Sequence, residues 1–547
     1  MTTMRPRHHP ASLTGWIPNI SDIVPGQPRF DTLITTVKDL QQELSTGDLT
    51  SVDIVKEYYH SILSYNGYLN AVYELAPGAL EQAEKLDKMR EQGQILGHLH
   101  GIPVLLKDNI ATSPDLKMGT RASAVALVGS VPKTNASIVD KLTKAGAIIL
   151  GKTTMSEYAY VKGEGIRCGW STLAGQCNNP YVKGGDDPTD GLGGHSSTGG
   201  SSSGSAVSVA AGLAPISIGT ETEGFLVEPA TRAALYTLKP TLGIVPGDGI
   251  IPISHRLDTA GPMAKSVHDL ASLLTVIVDE SKTNILEGGY ASALSGAEAW
   301  KEFTIGTLSP DDCLPSDEFI KPVDEATEEI IPKRRQTLAA YGKIQELAKG
   351  YHENVGLRSD KDFDFEGQDA LFSLMMADLE NDMNNYLSGL EKSDVKSLKE
   401  IVEWNLQHAN EALPPEYPSQ SILEKAVAEK FSAERVEKIV NHIRTVGSSF
   451  DETIKNYGLD FIIAPGDSGL SVFSAALGIP IATLPIACLQ YNGRPTSLQV
   501  AAPRHQEAKL IKLMSAFEAT FPPRKPPTEF LDHRARVKVP RPIYLIG

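Results

Sequence analysis

An α/β fold is predicted for this chain, and two alternations of strand and helix predict it. The apolar segment Gly101–Asp108, GIPVLLKD, is followed by a helical stretch through Ala136–Lys144, and Ala145-Gly146 then leads into a second apolar run at Ala147–Gly151. Strand, helix, strand is the crossover order of an α/β sheet. The second alternation is tighter. A helix of small apolar residues begins near Ser205, and the strand-like run ISIGT follows it at once.

The remaining elements follow in chain order. Residues 31–95 space their apolar positions by three and four, as amphipathic helices do. Asp31 and Thr32 precede LITTVKDLQQEL, Thr50 and Ser51 can cap DIVKEYYHSILSY, and Pro77 opens a third helix that ends near Gly93. Helical patterns return from Glu325 to about Gln345, from Gln368 to Leu390, over Ser397–Ala409 and from Ala433 to Tyr457. DFIIAPG at Asp460–Gly466 and IPIATLPIA at Ile479–Ala487 read as strands, and a helix near Gln506–Thr520 closes the pattern. The stretch Asn179–Gly204 has the Gly/Ser composition of a linker. Because a helix and a strand follow it directly, it reads better as the lining of a site inside one domain. No internal repeat is visible.

Composition narrows the function classes. Of 547 residues, 41% are hydrophobic and 22% charged, the balance of a soluble globular protein. The 51 basic and 67 acidic side chains give a net charge of −16, which argues against nucleic acid or an anionic membrane as partner. No apolar run approaches bilayer length, and MTTMRPRHHPASLTGWIPNI lacks the apolar core of a secretory signal. Four scattered cysteines, Cys168, Cys177, Cys313 and Cys488, suit free thiols in a reduced, cytoplasmic setting, with a Cys168–Cys177 pair or metal site as the alternative.

Several residues could carry chemistry. Lys107 follows five apolar residues at a strand end, where desolvation would lower its pKa and make it a usable base. The plainer alternative is a surface lysine just past the strand. Ser201 could be a nucleophile activated by Lys107, or Ser201–Ser203 could be small residues that a tight loop needs. Gly191–Gly204 lacks the Gly-Lys-Ser/Thr ending of a phosphate cradle. His195 reads as a solvated loop residue, with a ligand or base as the alternative. Glu221, Glu223 and Glu228 form either an acid cluster or a solvated, cation-paired face.

The run from Gly199 to Thr241, GGSSSGSAVSVAAGLAPISIGTETEGFLVEPATRAALYTLKPT, resembles the hallmark of the amidase signature family, roughly GGSSSGSA…GTETDGSI…P…LKPT. HGIP, KDN and Met118–Thr120 (MGT) match its first block, and Ala145–Ala159 the next. Gly169 to Tyr181 resembles the approach to the serine loop, while Leu257–Leu274 and Leu477–Val500 are also family-like. MNNYLSGL and LKEIVEWNLQHAN resemble the plant and fungal branch. The resemblance spans about Phe30 to Phe521. It implies a single large α/β/α fold, a twisted mixed sheet flanked by helices with the site at the strand ends. It also implies an N-terminal arm over 1–29, the main domain over 30–530 with a helical insertion at about 320–458, and a tail over 531–547.

By that resemblance Lys107 matches the family base and Ser201 the serine of a cis peptide that relays the proton. Ser202 lies beside it. Thr222, Glu223, Gly224 and position 225 stand where oxyanion-hole amides and substrate contacts come from. Phe225 stands 24 residues after Ser201, the spacing at which the family places its nucleophilic serine. Glu223 and Leu226-Val227-Glu228 also depart from the family run, and GGDDPTDGLGGHSST reads as an insertion before Gly199. Three functions are therefore expected to compete. The first is a diverged member that keeps the pocket, binds a small amide or acyl metabolite and does non-hydrolytic acid–base chemistry. The second is an amidase working through Ser201 and Lys107, and the third a non-catalytic scaffold whose pocket Phe225 fills. No cofactor and no metal are expected, and homodimer formation stays open.

Overall fold

Two threonines start the first two helices. The Thr36 and Thr50 side chains each accept a backbone N–H three residues on, from Asp39 and Asp53, whose carboxylates bond back to the threonine amides. These reciprocal caps, each supporting about 1 kcal/mol, start helices Val37–Thr46 and Ser51–Leu69. The first helix thus begins at Val37, later than the apolar pattern from Leu33 suggests, because the capping oxygen decides the boundary. The computed structural model describes residues 28–312, 330–490 and 492–527. Most of the expected N-terminal arm, the C-terminal tail, Cys313 and the start of the helix read from Glu325 lie outside the described residues.

Eleven strands form one mixed sheet. In chain order they are β1 (Val72–Leu75), β2 (Pro103–Lys107), β3 (Ile148–Thr153), β4 (Ile216–Glu221), β5 (Tyr236–Lys239), β6 (Thr259–Ala264), β7 (Thr304–Thr307), β8 (Gly350–His352), β9 (Phe461–Pro465), β10 (Ile481–Cys488) and β11 (Pro495–Ala501). Their spatial order is β1-β3-β2-β4-β6-β5-β10-β11-β9-β7-β8. β3, β2 and β4 run parallel, as do β9, β7 and β8, while the strands between these two groups pair antiparallel. Parallel pairs require crossovers, and the helices Ser137–Lys144 and Ser203–Ala210 supply them between β2, β3 and β4.

Helices cover both faces. Along β9, Phe461 and Ile463 join one hydrophobic core while Ile462 and Ala464 join another, as the two-residue period of a strand requires. The first core packs the N-terminal helices, Val267–Ile277 and Glu507–Thr520; the second packs Ala370–Ser388, Leu398–Gln407 and Ala433–Gly447. The region expected as a helical insertion is mostly helical, but it also contributes the edge strand β8. The pattern read as one helix over Ala433–Tyr457 is two, Ala433–Gly447 and Ser449–Tyr457, broken at Ser448. Among the described residues, no helix is long and apolar enough to cross a membrane.

Candidate functional site

The site gathers at the carboxyl ends of β2 and β4. Because the strands are parallel and in register (Leu106 opposite Ile218), Lys107 at the end of β2 comes alongside Thr220 near the end of β4. The Gly200–Ser201 peptide is cis. Ser202 donates its amide to the Phe225 carbonyl at 3.1 Å, which joins the serine loop to the turn after β4. Two glycines make this approach sterically feasible. A Cβ on Gly219 would lie 2.6 Å from Leu226 Cδ1 and 2.9 Å from Ser202 Oγ, and Gly224 turns the chain at φ 82°.

Lys107 is completely buried, so the surface-lysine alternative is excluded. Its Nζ lies 2.8 Å from each of Ser201 Oγ, Ser202 Oγ and Thr220 Oγ1, and 3.3 Å from the Thr220 carbonyl. Burial pushes its ammonium down to about 7, against the opposing pull of Glu221 and Asp258. Near neutral pH the amine therefore has an available lone pair. The Ser202 hydroxyl is engaged with the Thr220 carbonyl at 3.0 Å. Ser201, whose side chain bonds Lys107, is positioned to give its proton to that lone pair.

The turn after β4 is held by its own acid. Glu221 is buried and its carboxylate accepts the amides of Leu226 at 2.5 Å and Val227 at 3.1 Å, at the start of the short helix Val227–Thr231. Thr222 points its hydroxyl at Asp258, 2.7 Å away. Glu223, Gly224 and Phe225 instead face a cavity of about 400 Å³. Lys107, Ser201, Ser202 and Thr222 do not line it. Ser201 and Ser202 have no exposed surface. The candidate residues thus split into a sealed polar layer and an open wall above it.

The opposite wall comes from residues the sequence did not mark as site residues: Asp369 and Phe372 on helix Ala370–Ser388 and its cap, Asp467 and Ser471 after β9, and Gln499 on β11. Glu223 accepts a bond from Ser471 at 3.3 Å. Burial, with Asp369 and Glu221 nearby, raises its carboxyl to about 8. Glu228 is cation-paired rather than free: Arg232 lies 3.2 Å from it and 3.3 Å from Asp467, and Arg494 lies 3.3 Å from Asp467.

The loop of residues 184–198, read from the sequence as an insertion, is fastened to this ion network. Arg167 bridges Asp186 at 2.7 Å and Asp190 at 3.0 Å, and Arg232 donates to the Gly193 carbonyl at 2.7 Å. His195 is 4% exposed, and Asn492 donates to its carbonyl at 2.7 Å. It is therefore not the solvated loop residue its Gly/Asp-rich surroundings suggest. Cys168 and Cys177 are both free thiols, and burial raises the pKa of each. His255, Asp378 and Asp382 bring ligand-type atoms within 4.8 Å of one another. Asp378, however, is taken by Arg256 and by the Ser254 hydroxyl at 2.6 Å, so the group reads as a clamp on helix Ala370–Ser388.

A lysine–serine layer beneath a cleft at parallel strand ends defines an amidase type of architecture, and comparison with known proteins agrees. The profile of the amidase family matches residues 53–511. A protein of Arabidopsis thaliana named a probable amidase is 32% identical over 504 residues, covering 90% of this chain and 91% of its own. The structure of native peptide amidase from Stenotrophomonas maltophilia superposes with a TM-score of 0.78 at 31% identity, covering 90% of this chain and 98% of that one. An amidase family protein from Bacillus anthracis gives 0.80 at 28% identity, covering 93% and 95%. This chain belongs to the amidase family.

Proposed function

We propose that this chain is a diverged amidase-family protein that binds a small amide- or acyl-bearing ligand and does not hydrolyse it through an acyl-enzyme at position 225. The observation that carries the reading is the Phe225 side chain on the cavity wall, in a turn bonded through the Ser202 amide to the serine loop whose Lys107–Ser201 pair is otherwise set for proton transfer. A phenyl ring has no lone pair with which to attack a carbonyl. Loss of the nucleophile in another serine hydrolase lowers kcat by about 10⁶. The cavity of about 400 Å³ beside the ring supports ligand binding over a filled, purely structural pocket.

The chemistry assigned to the pocket is proton transfer, as in isomerisation, cyclisation or elimination. Of the four carboxyls on the cavity wall, Glu223 is the one raised to about 8, and a carboxyl so raised can give or take a proton near neutral pH. Lys107 and Ser201 lie one layer deeper. A second reading, an amidase using Ser201 as nucleophile, is favoured by the 2.8 Å Lys107–Ser201 contact. Against it stands the complete burial of Ser201.

A fluorophosphonate probe separates the two. Intact-mass analysis of the purified protein should show no stoichiometric adduct. An adduct mapping to Ser201 would establish the second reading in place of the first.

A further inference from the structure

We infer that the pocket takes a ligand bearing a positive charge, an ammonium or guanidinium group, held between Glu223 and Asp369 against the rings of Phe225 and Phe372. The inference rests on the ligand-binding reading for its site and requires no turnover there. The cavity wall carries four carboxylates, Glu223, Glu228, Asp369 and Asp467, and no lysine, arginine or histidine among the described residues.

Two of the four acids are already matched. Arg232 and Arg494 lie behind Glu228 and Asp467 and pair with them. Those charges cancel within the protein. Among the described residues, Glu223 and Asp369 have no such partner. Glu223 has the Ser471 hydroxyl at 3.3 Å and no cation within ion-pair distance among the described residues. Asp369 caps helix Ala370–Ser388, accepting the Phe372 amide at 2.5 Å. Lys425 stands 5.2 Å over the Phe372 ring without forming an ion pair to either acid.

Glu223 is half-buried and Asp369 stands at the exposed cap of its helix, and two carboxylates on one cavity wall are unfavourable together unless they take up protons or a cation. Burial, with Asp369 nearby, raises Glu223 to about 8, and burial raises Asp369 in the same direction, as it also raises the paired Glu228 to about 7. A bound cation supplies the missing charge. The phenyl faces add to this, because the negative face of an aromatic ring attracts ammonium and guanidinium groups. Phe225 thereby has a role of its own at the position where a reactive hydroxyl is expected: it is part of the surface that receives the charge.

Calorimetry on the full-length protein tests this with three probes. N-acetyl-argininamide carries guanidinium and amide, N-acetyl-citrullinamide is its neutral isostere, and agmatine carries charge without an amide. The arginine compound should bind about tenfold or more tighter than its citrulline isostere, the fold-change that one charge-assisted hydrogen bond supports. Glu223→Gln should remove most of that preference. Asp369→Asn, which retains a capping side chain, should reduce it in the same direction with the thermal midpoint unchanged. Affinity for the guanidinium should rise as pH passes upward through about 8, where Glu223 ionises without help. Asp369, Glu221 and Glu228 stand near the same acid and oppose its ionisation by like charge. Equal binding of the arginine and citrulline compounds would overturn the inference and leave the amide reading intact. Agmatine binding without citrullinamide binding would support the inference and sink the amide reading. No binding by any of the three would overturn both.

Discussion

Replacing Lys107 by methionine should change how stability depends on pH. Lys107 is fully buried, and burial lowers its pKa to about 7, whereas the unfolded chain offers about 10.4. Between those values the unfolded state binds the proton and the folded state does not. Stability therefore rises with pH across this window, and the penalty fades as pH approaches the unfolded value. From pH about 7.5 to about 9, this one group should add about 2 kcal/mol to the wild type. Lys152, Lys239 and Lys265 are shifted the same way and remain in both proteins, so only the difference between them isolates Lys107. Methionine fills most of the space and leaves the Ser201 hydroxyl without the amine, at an offset of about 1–3 kcal/mol that does not vary with pH. Urea unfolding followed by fluorescence and circular dichroism, with coincident transitions, gives both stabilities. Parallel pH profiles for Lys107→Met and wild type would show that Lys107 is charged in the fold, and the argument for a neutral amine would fail.

Phe225→Ser introduces a hydroxyl on the cavity wall, but p-nitroanilide hydrolysis should stay near background, and adding Glu223→Asp should raise it further than either change alone predicts. Robust turnover by the single variant would show that Glu223 is no obstacle. Arg167→Ala leaves Asp186 and Asp190 buried without their guanidinium, a local cost of about 3–5 kcal/mol. Limited proteolysis should then cut between residues 184 and 198, and a variant as resistant as wild type would count against the clamp. Thr50→Ala removes one half of a reciprocal cap and should lower stability by about 1 kcal/mol in urea melts; an unchanged midpoint would assign that helix start to packing alone.

Sequence reasoning reached the polar layer of the site because its members lie on short, motif-bearing segments. Lys107 ends an apolar strand, and Ser201 and Ser202 immediately precede a helix, whereas Thr220 within β4 carries no local mark. The far wall was invisible for the opposite reason. Asp369, Ser471 and Gln499 come from three elements separated along the chain, and each is locally an ordinary cap or polar residue. Strands β6 and β11 were missed because TAGPMA and PTSLQVA break the apolar pattern of a central strand. Their polar groups are tolerated through cross-strand bonds, such as Ser497 to the Thr231 carbonyl at 3.2 Å. His195 was misread because composition cannot show that Arg167 and Arg232, from elsewhere in the chain, draw the Gly/Asp-rich loop inward.

The bond from the Ser202 amide to the Phe225 carbonyl bears on how such a protein can change its task. The turn is anchored there by main chain, and Glu221 anchors it again through two further amides. Neither anchor consults the side chain at 225. Natural variation or a designer can therefore exchange that one group, for a hydroxyl, a ring or an aliphatic branch, while the surrounding framework stays put. A lineage could pass from bond cleavage to recognition in a single codon, and selection could then act on the new surface without first rebuilding the scaffold beneath it.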